Sequence, residues 1–358
     1  MRIAQVAPLH ERVPPLLYGG TERIVSYLTE ELVRLGHEVT LFASGDSITS
    51  ARLEAGSPRA LRLDEDCRDP LAPHVRMLDR VYRRADEFDI IHSHTDYIGL
   101  PLTRTVSTPT VLTLHGRLDM PEVAPLYLDY PELAFVSISN DQRRPVPDLG
   151  WAATIYHGLP RDLYSFSATA EPSLLFVGRM SPEKRPDSAI RIAIRAGMRL
   201  KIAAKVDRAD REYFESTIRP MLDHPLIEFL GEVDERRKHE LLAGAQALLF
   251  PVDWPEPFGL VMIESLACGT PVIARRRGSV PEILDHGKTG FICETEEEMA
   301  EAAKAAAGLS RTHCRAELER RFSVEVMTSH YLALYRQLTQ TTCDRSDADP
   351  RRQESELA

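Results

Sequence analysis

The sequence predicts an α/β protein made of two doubly wound domains, and three observations support this prediction. Short apolar runs alternate with amphipathic segments of helical spacing, a pattern typical of βαβ units with parallel strands. This order starts twice, near residue 3 and again near residue 173. The chain of 358 residues is also long enough for two cores, at roughly 100–200 residues each.

The first half contains a strand, a glycine loop and a helix, followed by further strands. The glycine loop holds Tyr18, Gly19 and Gly20, and Gly36 is expected to end the helix at residues 21–35. The apolar runs predict buried strands at residues 3–7, 39–43, 89–92, 110–114 and 134–138. The polar segment 161–172 lacks apolar periodicity, and we therefore expect an N-terminal domain over residues 1–165.

The second half repeats this order of strands and helices and forms a predicted C-terminal domain, residues 166–325. Its apolar runs predict strands at residues 173–177, 199–204, 227–230, 247–251 and 271–274. Its helical segments are residues 186–196, 235–244, 260–268 and 296–308. Residues 326–340 are expected to form a helix that packs back on the first domain. Residues 341–358 are polar and charged, and we expect a disordered tail there.

Charge and cysteine usage narrow the classes of partner. Lys and Arg number 44 and Asp and Glu 54, so the formal charge is 44 − 54 = −10. Such a surface repels nucleic acid and anionic lipid, and a phosphate-bearing ligand needs a local basic pocket. The five cysteines form no CxxC pair, which predicts a reducing, cytoplasmic location. We see neither a signal peptide nor an apolar run of membrane-spanning length.

The most specific segment runs from Pro255 to Pro271. Two prolines and Gly259 precede a helix that begins near Leu260, and its unpaired N–H groups suit a phosphate. Glu256 on the loop and Glu264 in the helix can accept hydrogen bonds from vicinal hydroxyls. Two glutamates eight residues apart are common by chance, so the surrounding Pro, Phe-Gly and Gly-Thr-Pro context makes the pattern specific.

Basic residues follow the first strand of the second half. Arg179 and Lys184 lie five residues apart across a turn, where both can converge on one diphosphate and stabilise the charge on a leaving nucleotide. The alternative is an ordinary solvated helix start. Arg275, Arg276 and Arg277 follow a later strand, and a solvated basic loop is the simpler interpretation of these three.

Three weaker signals follow strands of the first half. Gly19 and Gly20 permit close backbone contact with a phosphate, although paired glycines are often only a turn. His115 and Gly116 end a strand, which favours a ligand-facing position over a structural one. The segment 92–97 holds His92, His94 and Asp96; we interpret it as an acceptor-side loop, because no further metal ligands accompany it. Residues 137–140 are a similar strand-end candidate.

The segment beginning at Glu256 resembles the signature of family 4 retaining glycosyltransferases, which have the GT-B fold of two Rossmann-like domains facing across a cleft. It matches E-P-F-G-L-x-x-x-E-A-x-A-x-G-x-P-V-I-A nearly throughout, with Ser265 where alanine is usual. Residues 287–291 and Glu282 fit the family's later turns, and the likeness extends over residues 1–340. One departure is Arg185, where the family usually has glycine after the lysine.

The resemblance implies that residues 1–165 are the acceptor-side domain and residues 166–325 the donor domain, and it implies a role for each matching residue. Glu256 would contact the transferred sugar and Glu264 the ribose. Arg179 and Lys184 would bind the diphosphate, and His115 would contact the donor sugar near its reacting carbon. The remaining implied donor contacts, mostly through backbone, are Gly19, Gly20, Phe258, Gly259 and Leu260.

The resemblance therefore predicts a retaining hexosyltransferase that uses a nucleoside diphosphate sugar and a hydroxyl acceptor. Donors common in the family suggest UDP-glucose or GDP-mannose, with UDP sugars favoured. The expected acceptor is a sugar, a lipid-linked sugar or a small molecule. No Asp-x-Asp pair ends an early strand, so we expect no metal, and no tightly bound cofactor. The alternatives are a nucleotide-sugar epimerase, a pyridoxal-dependent phosphorylase or a non-catalytic binding protein. Double displacement through Glu256, peripheral membrane contact and the oligomeric state stay open.

Overall fold

A computed structural model describes residues 1–17 and 19–347, the last seven of them as backbone only. The chain divides into two compact units. The first unit comprises Met1–Ile138, Pro145–Tyr156 and the helix that starts at Val324; the second comprises Ser139–Arg144 and His157–Ser323. Tyr18 of the predicted glycine loop and residues 348–358 of the predicted tail lie outside the described residues.

The first unit is a parallel sheet flanked by helices. Its strands are β1 (Arg2–Val6), β2 (Glu38–Ser44), β3 (Arg52–Ser57), β4 (Ile90–Ser93), β5 (Thr110–Thr113), β6 (Ala134–Ser137) and β7 (Trp151–Thr154). They pair in the order β3-β2-β1-β4-β5-β6-β7, and every pair is parallel. The helices between them are α1 (Gly20–Arg34), α2 (Leu71–Arg83), α3 (Leu100–Thr103) and α4 (Val123–Leu128).

The second unit has the same architecture. Its strands are β8 (Ser173–Arg179), β9 (Arg199–Lys205), β10 (Ile227–Gly231), β11 (Ala247–Phe250), β12 (Val272–Arg275) and β13 (Gly290–Cys293), in the order β10-β9-β8-β11-β12-β13. All pairs are parallel. Its helices are α5 (Pro186–Ala196), α6 (Arg211–Tyr213), α7 (Glu235–Gly244), α8 (Leu260–Ala267), α9 (Val280–Ile283), α10 (Glu296–Ala305) and α11 (Arg311–Arg321). The predicted fold class, two Rossmann-like doubly wound domains, is confirmed.

Strand order places the ligand-binding edge of each unit. In both sheets the first strand lies between the second strand and the fourth, so chain direction across the sheet reverses at β1/β4 and at β8/β11. Open parallel sheets bind ligands outside the carboxyl ends of the strands at such a switch point. The segments that follow β1 and β4 in the first unit, and β8 and β11 in the second, are therefore the candidate ligand-binding segments.

Three edge strands were not predicted from the sequence: β13 overlaps the turn expected at residues 287–291, and the other two are β3 and β7. Strand β3 (Arg52–Ser57) is mostly exposed or half-buried, and β7 (Trp151–Thr154) is too. Each has a neighbour on one side only. A central parallel strand is buried on both faces and is therefore an uninterrupted apolar run. The strands were predicted from such runs, which β3 and β7 lack.

The change from the first unit to the second falls at Tyr156/His157, nine residues before the predicted boundary at 165/166. Contacts within the second unit explain the difference. The Leu159 N–H donates to the Phe322 carbonyl at 2.8 Å, and the Arg315 guanidinium donates to the carbonyls of Arg161 and Tyr164 at 2.7 Å each. The polar composition of 161–172 therefore marks an anchored segment rather than a linker.

The final helix, α12 (Val324–Asp347), belongs to the first unit and packs against α1. Tyr331 and Tyr335 on this helix are fully buried. It includes residues 341–347, so this part of the predicted tail is helical. Among the helices of the described part of the chain, none is both long enough and apolar enough to cross a bilayer.

Candidate active site

An ion pair between Lys184 and Glu256 lies at the carboxyl edge of the second sheet. Lys184 ends a short turn after β8, and Glu256 lies on the loop after β11, so the two strands of the switch point supply one residue each. The Lys184 ammonium contacts the Glu256 carboxylate and lies 5.5 Å from the centre of the Trp254 ring, within cation–π range. The sequence placed both residues near one ligand, and the structure brings their side chains together.

Arg179 is the last residue of β8 and faces the same edge. Its guanidinium is ion-paired with Glu183, and its Nε lies 3.6 Å from an Asp210 carboxylate oxygen. One third of the side chain is exposed, at 33%. The predicted diphosphate-binding cation is therefore accessible and sits between two carboxylates.

The loop after β11 turns into α8 through Gly259. With φ of 80° this residue has the left-handed backbone that glycine adopts readily, and it caps α8. The Phe258 ring is buried and packs against His157, with ring centroids 4.8 Å apart. Any ligand contact at Phe258 must therefore come from its backbone, as the resemblance implies.

Gly278 and Ser279 support the Glu256 loop from behind. A Cβ on Gly278 would lie 2.4 Å from the Glu256 carbonyl oxygen and 2.5 Å from its nitrogen. The Ser279 N–H donates to the Glu256 carbonyl at 3.1 Å, and its hydroxyl donates to the Phe258 carbonyl at 2.7 Å. Neither residue was predicted from the sequence; a glycine three residues after the end of strand β12 was the available signal.

Replacing Gly278 by alanine should therefore displace the Glu256 loop. The new Cβ overlaps backbone atoms, and φ of 53° already disfavours any side chain by about 1–2 kcal/mol. A shift of about 1 Å in a catalytic group can cost on the order of 10²-fold in rate, and we expect a kcat loss of that size. Gly308→Ala is the control, because nothing lies within 4 Å of its Cβ position. Equal kcat values for the two variants would contradict this role of Gly278.

Glu264 lies inside α8 and forms a second ion pair. Its carboxylate is almost fully buried and accepts a 2.8 Å hydrogen bond from the Lys238 ammonium. Lys238 comes from α7, also pairs with Glu235 at 2.9 Å, and was not singled out from the sequence. A lysine on a helix of alternating charge carries no signal until the tertiary fold places it against a carboxylate.

Arg185 has a left-handed backbone, with φ of 55° and ψ of 50°. Glycine, the family's usual residue at this position, adopts this conformation readily. Its guanidinium contacts Asp187 at 3.1 Å and Asp253 at 3.2 Å. Arg275 and Arg277 contact the same Asp253 at 3.0 and 3.1 Å. The basic loop predicted to be solvated is therefore part of an ion-pair network.

The glycine loop of the first unit begins α1. Gly19 has φ of 147°, and its carbonyl accepts from the Arg23 N–H at 3.1 Å. A Cβ on Gly19 would lie 2.8 Å from the Pro15 side chain, which explains the glycine without reference to a ligand. Gly20 is the exposed first residue of α1.

His115 belongs to a chain of hydrogen bonds in the first unit. Its Nε2 lies 2.9 Å from His94 Nδ1, and His94 Nε2 lies 3.0 Å from the Gln5 side-chain oxygen. His92 bridges Tyr335 and Thr113 at 2.6 and 2.7 Å. His92 and His94 are fully buried, whereas His115 is half-buried. The first residues of the proposed acceptor-side loop at 92–97 therefore belong to a buried hydrogen-bond network.

Burial favours the neutral imidazoles of His92 and His115. It lowers the pKa of His115 to about 3 and the pKa of His92 well below its ordinary value, because a charged ring loses its hydration. In the unfolded chain both rings titrate near 6.5. Protons therefore bind preferentially to the unfolded state, and stability falls as the pH drops below about 6.5.

The His115→Asn variant should show a weaker pH dependence of unfolding than the wild type. Each imidazole that stays neutral when folded contributes a slope of up to about 1.4 kcal/mol per pH unit, which the substitution removes. Urea unfolding at several pH values between neutral and mildly acidic measures this. His330→Asn, an exposed position on α12, should keep the wild-type slope. The same slope in both variants would contradict the neutral, buried state of His115.

One group of possible metal ligands occurs among the described residues. The ligand atoms of Asp285, His313 and Glu317 lie within 4.8 Å of one another. Arg320 pairs with Glu317 at 2.6 Å, and Arg321 lies 3.9 Å from Asp285. These arginines compensate the carboxylate charges without a metal ion.

Comparison with known proteins identifies the family. Residues 18–151 match the family model described as Glycosyltransferase Family 4, and residues 165–323 match the one described as Glycosyl transferases group 1. The chain belongs to the family 4 glycosyltransferases. In this glycosyltransferase, Gly19 and His115 fall inside the first matched range, and Lys184 and Glu256 fall inside the second.

Relatives cover nearly the whole glycosyltransferase. It is 24% identical to the phosphatidyl-myo-inositol mannosyltransferase of Mycobacterium leprae, over 94% of this chain and 96% of that protein. AviGT4, a glycosyltransferase involved in avilamycin A biosynthesis, is similar with a TM-score of 0.74 and 26% identity, over 95% and 98% of the two chains. The sucrose-phosphate synthase of Thermosynechococcus elongatus has the same fold, with a TM-score of 0.79 and 20% identity over 95% and 100%.

Proposed function

We propose that this glycosyltransferase moves a hexose from a nucleoside diphosphate sugar to a hydroxyl acceptor, with retention of anomeric configuration. The observation that carries the proposal is the Lys184–Glu256 pair at the β8/β11 switch point, with Arg179 at the end of the same strand β8. Two cations and a carboxylate at one sheet edge match a diphosphate joined to a sugar.

Each group has a distinct task in the proposed reaction. Lys184 and Arg179 bind the diphosphate and stabilise the charge that grows as the sugar–phosphate bond breaks. The amides at the start of α8 add a partial positive charge at the same edge. Glu256 accepts hydrogen bonds from sugar hydroxyls, and Glu264 accepts them from the ribose. His115 contacts the donor sugar.

Retention requires the new bond to form on the face that the leaving group vacates. The acceptor oxygen attacks the anomeric carbon there, and the departing phosphate oxygen takes the acceptor proton. Positive charge from Lys184, Arg179 and α8 can stabilise the leaving group, and we propose that the reaction needs no metal. The carboxylates at this edge support this view, because Glu183, Glu256 and Glu264 are each paired with a cation.

The base and the sugar of the donor remain to be identified by experiment. The named relatives include a mannosyltransferase and a sucrose-phosphate synthase, so we propose UDP-glucose or GDP-mannose as the donors to test first. A donor at about 100 times its Kd raises the free energy of unfolding by about 2.7 kcal/mol. Thermal-shift measurements with UDP, GDP and ADP sugars, with and without EDTA, therefore identify the base and any need for a metal.

Product analysis then tests the reaction itself. The donor that stabilises the protein is incubated with simple sugar and lipid-linked acceptors, and proton NMR assigns the anomer of the product. Retained configuration with release of the nucleoside diphosphate supports the proposal. An inverted product, or conversion of the donor without any acceptor, would overturn it.

A further inference from the structure

One carboxylate, that of Asp253, contacts three arginines at the carboxyl edge of the second sheet. Asp253 lies between the end of β11 and Glu256. Its oxygens lie 3.2 Å from the Arg185 guanidinium, 3.0 Å from that of Arg275 and 3.1 Å from that of Arg277. The Asp253 side chain is only 30% exposed, so solvent screens these contacts in part. The four side chains therefore form one ion-pair cluster within the second unit.

The three arginines come from two other segments of the same sheet edge. Arg185 follows β8, whereas Arg275 is the last residue of β12 and Arg277 lies two residues beyond it. Because β8, β11 and β12 are neighbours in the sheet, Asp253 connects the segments that follow three adjacent strands. A backbone hydrogen bond adds to this connection, since the Asp253 N–H donates to the Glu183 carbonyl at 3.2 Å.

Arg275 depends on Asp253 more than the other two arginines do. Arg185 also contacts Asp187 at 3.1 Å, and Arg277 lies 3.8 Å from a second carboxylate. Among the described residues, Asp253 is the only acidic group within ion-pair distance of Arg275. The Arg275 Nε is buried and has no hydrogen-bond partner among them. Loss of the Asp253 charge would therefore leave a poorly hydrated cation uncompensated.

Each of the connected segments contains or supports a group of the proposed donor site. The segment after β8 includes Lys184, the neighbour of Arg185 in the sequence, and the segment after β11 includes Glu256. The segment after β12 continues through Gly278 to Ser279, whose N–H donates to the Glu256 carbonyl at 3.1 Å. Movement of any one segment would therefore displace a group that the proposed reaction uses.

We propose that Asp253 is a positioning residue, whose charge holds these three segments in the arrangement that the donor diphosphate requires. It binds arginines rather than the substrate, and it acts on the reaction through Lys184 and Glu256. The proposal rests on the proposed function for the tasks of those two residues. The connection between the segments follows from contacts inside the second unit.

An ion-pair cluster that contributes only to stability predicts a different result. Partly exposed ion pairs are usually worth little, and their loss lowers Tm without changing the kinetics of the folded enzyme. A positioning role adds a fall in kcat, because misplacement of a catalytic group by about 1 Å can cost on the order of 10²-fold in rate. It also predicts that a small carboxylate from solution can replace the missing one.

The experiment compares Asp253→Ala, Asp253→Asn and Glu294→Ala in the full chain. Alanine removes the carboxylate and leaves a space that formate can enter, whereas asparagine removes the charge at almost unchanged volume. Glu294→Ala is the matched control, since Glu294 pairs with Arg276 of the same arginine loop at 2.8 Å and is 54% exposed.

Two measurements follow these variants. Steady-state kinetics use the donor that stabilises the protein, with added sodium formate or with formamide, its uncharged counterpart; sodium chloride matches the ionic strength. Hydrogen exchange measured by mass spectrometry follows the segments 180–187, 251–258 and 275–281 without any substrate. The second measurement therefore reports the connection between the segments even where no reaction occurs.

We expect Asp253→Ala to lose on the order of 10²-fold in kcat and to exchange faster in all three segments. Formate should reverse both changes in part, and formamide should reverse neither. Asp253→Asn should show a smaller loss that formate does not reverse, because its side chain fills the space. Glu294→Ala should retain the wild-type kcat. A wild-type kcat in both Asp253 variants overturns the proposal, as does a loss in Asp253→Ala on which formate and formamide have the same effect.

The two proposals fail separately. If no sugar nucleotide reacts with the wild type but hydrogen exchange behaves as expected, the proposed function fails and the connection of the three segments stands. If transfer occurs and the Asp253 variants keep the wild-type kcat, the positioning role fails alone. If Asp253→Ala does not fold, the kcat of Asp253→Asn decides: a reduced value supports the positioning role and a wild-type value overturns it.

Discussion

Replacing Lys184 by alanine is expected to lower kcat by on the order of 10²–10³-fold, the usual cost of one lost charge-stabilising contact. Lys184 is mostly buried beside Glu256 and Trp254, where the interaction of an ammonium group with a diphosphate is weakly screened. The substitution also leaves Glu256 without its cation, which adds repulsion towards the donor phosphates. Steady-state kinetics measure the effect, with the donor that the thermal-shift measurements identify.

The control for this prediction is Lys201→Ala. Lys201 lies in β9 of the same unit and pairs with an exposed Glu171 at 2.6 Å, a type of contact worth only about 0.2–1 kcal/mol. We expect its kcat to match that of the wild type. If Lys184→Ala and Lys201→Ala have the same kcat, Lys184 has no catalytic role.

The second large effect is expected for Glu264→Ala, which should weaken donor binding by on the order of 10–100-fold. Charge-assisted hydrogen bonds to a buried carboxylate contribute about 1.5–3 kcal/mol, and each 1.4 kcal/mol is about tenfold in Kd. Lys238 keeps Glu235 as a partner at 2.9 Å, so the fold should persist. Calorimetric titration with the nucleoside diphosphate alone isolates this contact from the sugar.

Glu296→Ala provides the comparison for Glu264→Ala. Glu296 starts α10 and pairs with Arg191 at 2.6 Å, so its removal also breaks an ion pair of the second unit. Its affinity for the nucleoside diphosphate should equal that of the wild type. A Kd for Glu264→Ala that is also unchanged would remove Glu264 from the proposed site.

The fold class and the position of Arg179, Glu256 and Gly259 at the carboxyl edge of the second sheet could be predicted because they depend on local signals. Gly259 precedes an apolar helix, and Arg179 ends an apolar strand, so their positions follow from chain order alone. Even the unusual Ser265 costs little, because its buried hydroxyl donates to the Thr270 carbonyl at 2.9 Å. Parallel strands bring their carboxyl ends to one edge whatever the side chains are.

The residues that escaped prediction act through contacts between distant segments. Lys238 reaches Glu264 across 26 positions of sequence, and Gly278 meets the Glu256 backbone only after β12 returns to the edge. Arg185 departs from the family's usual glycine, and only the structure shows that its backbone has the left-handed conformation that glycine adopts readily. Pairing of this kind depends on tertiary geometry, which periodicity and spacing do not encode.

The carboxylates beside Arg179 and Lys184 have a consequence for selectivity. Glu183 and Glu256 are tethered to the same scaffold as the cations they contact, and a tethered group acts at a high effective concentration. Any incoming anion must compete with them. Free phosphate or an unrelated polyanion offers only charge in that exchange and should be a poor inhibitor. A sugar nucleotide also has hydroxyl groups. These can donate hydrogen bonds to the carboxylate that its phosphates displace, so the same carboxylate would oppose simple anions and favour the sugar nucleotide.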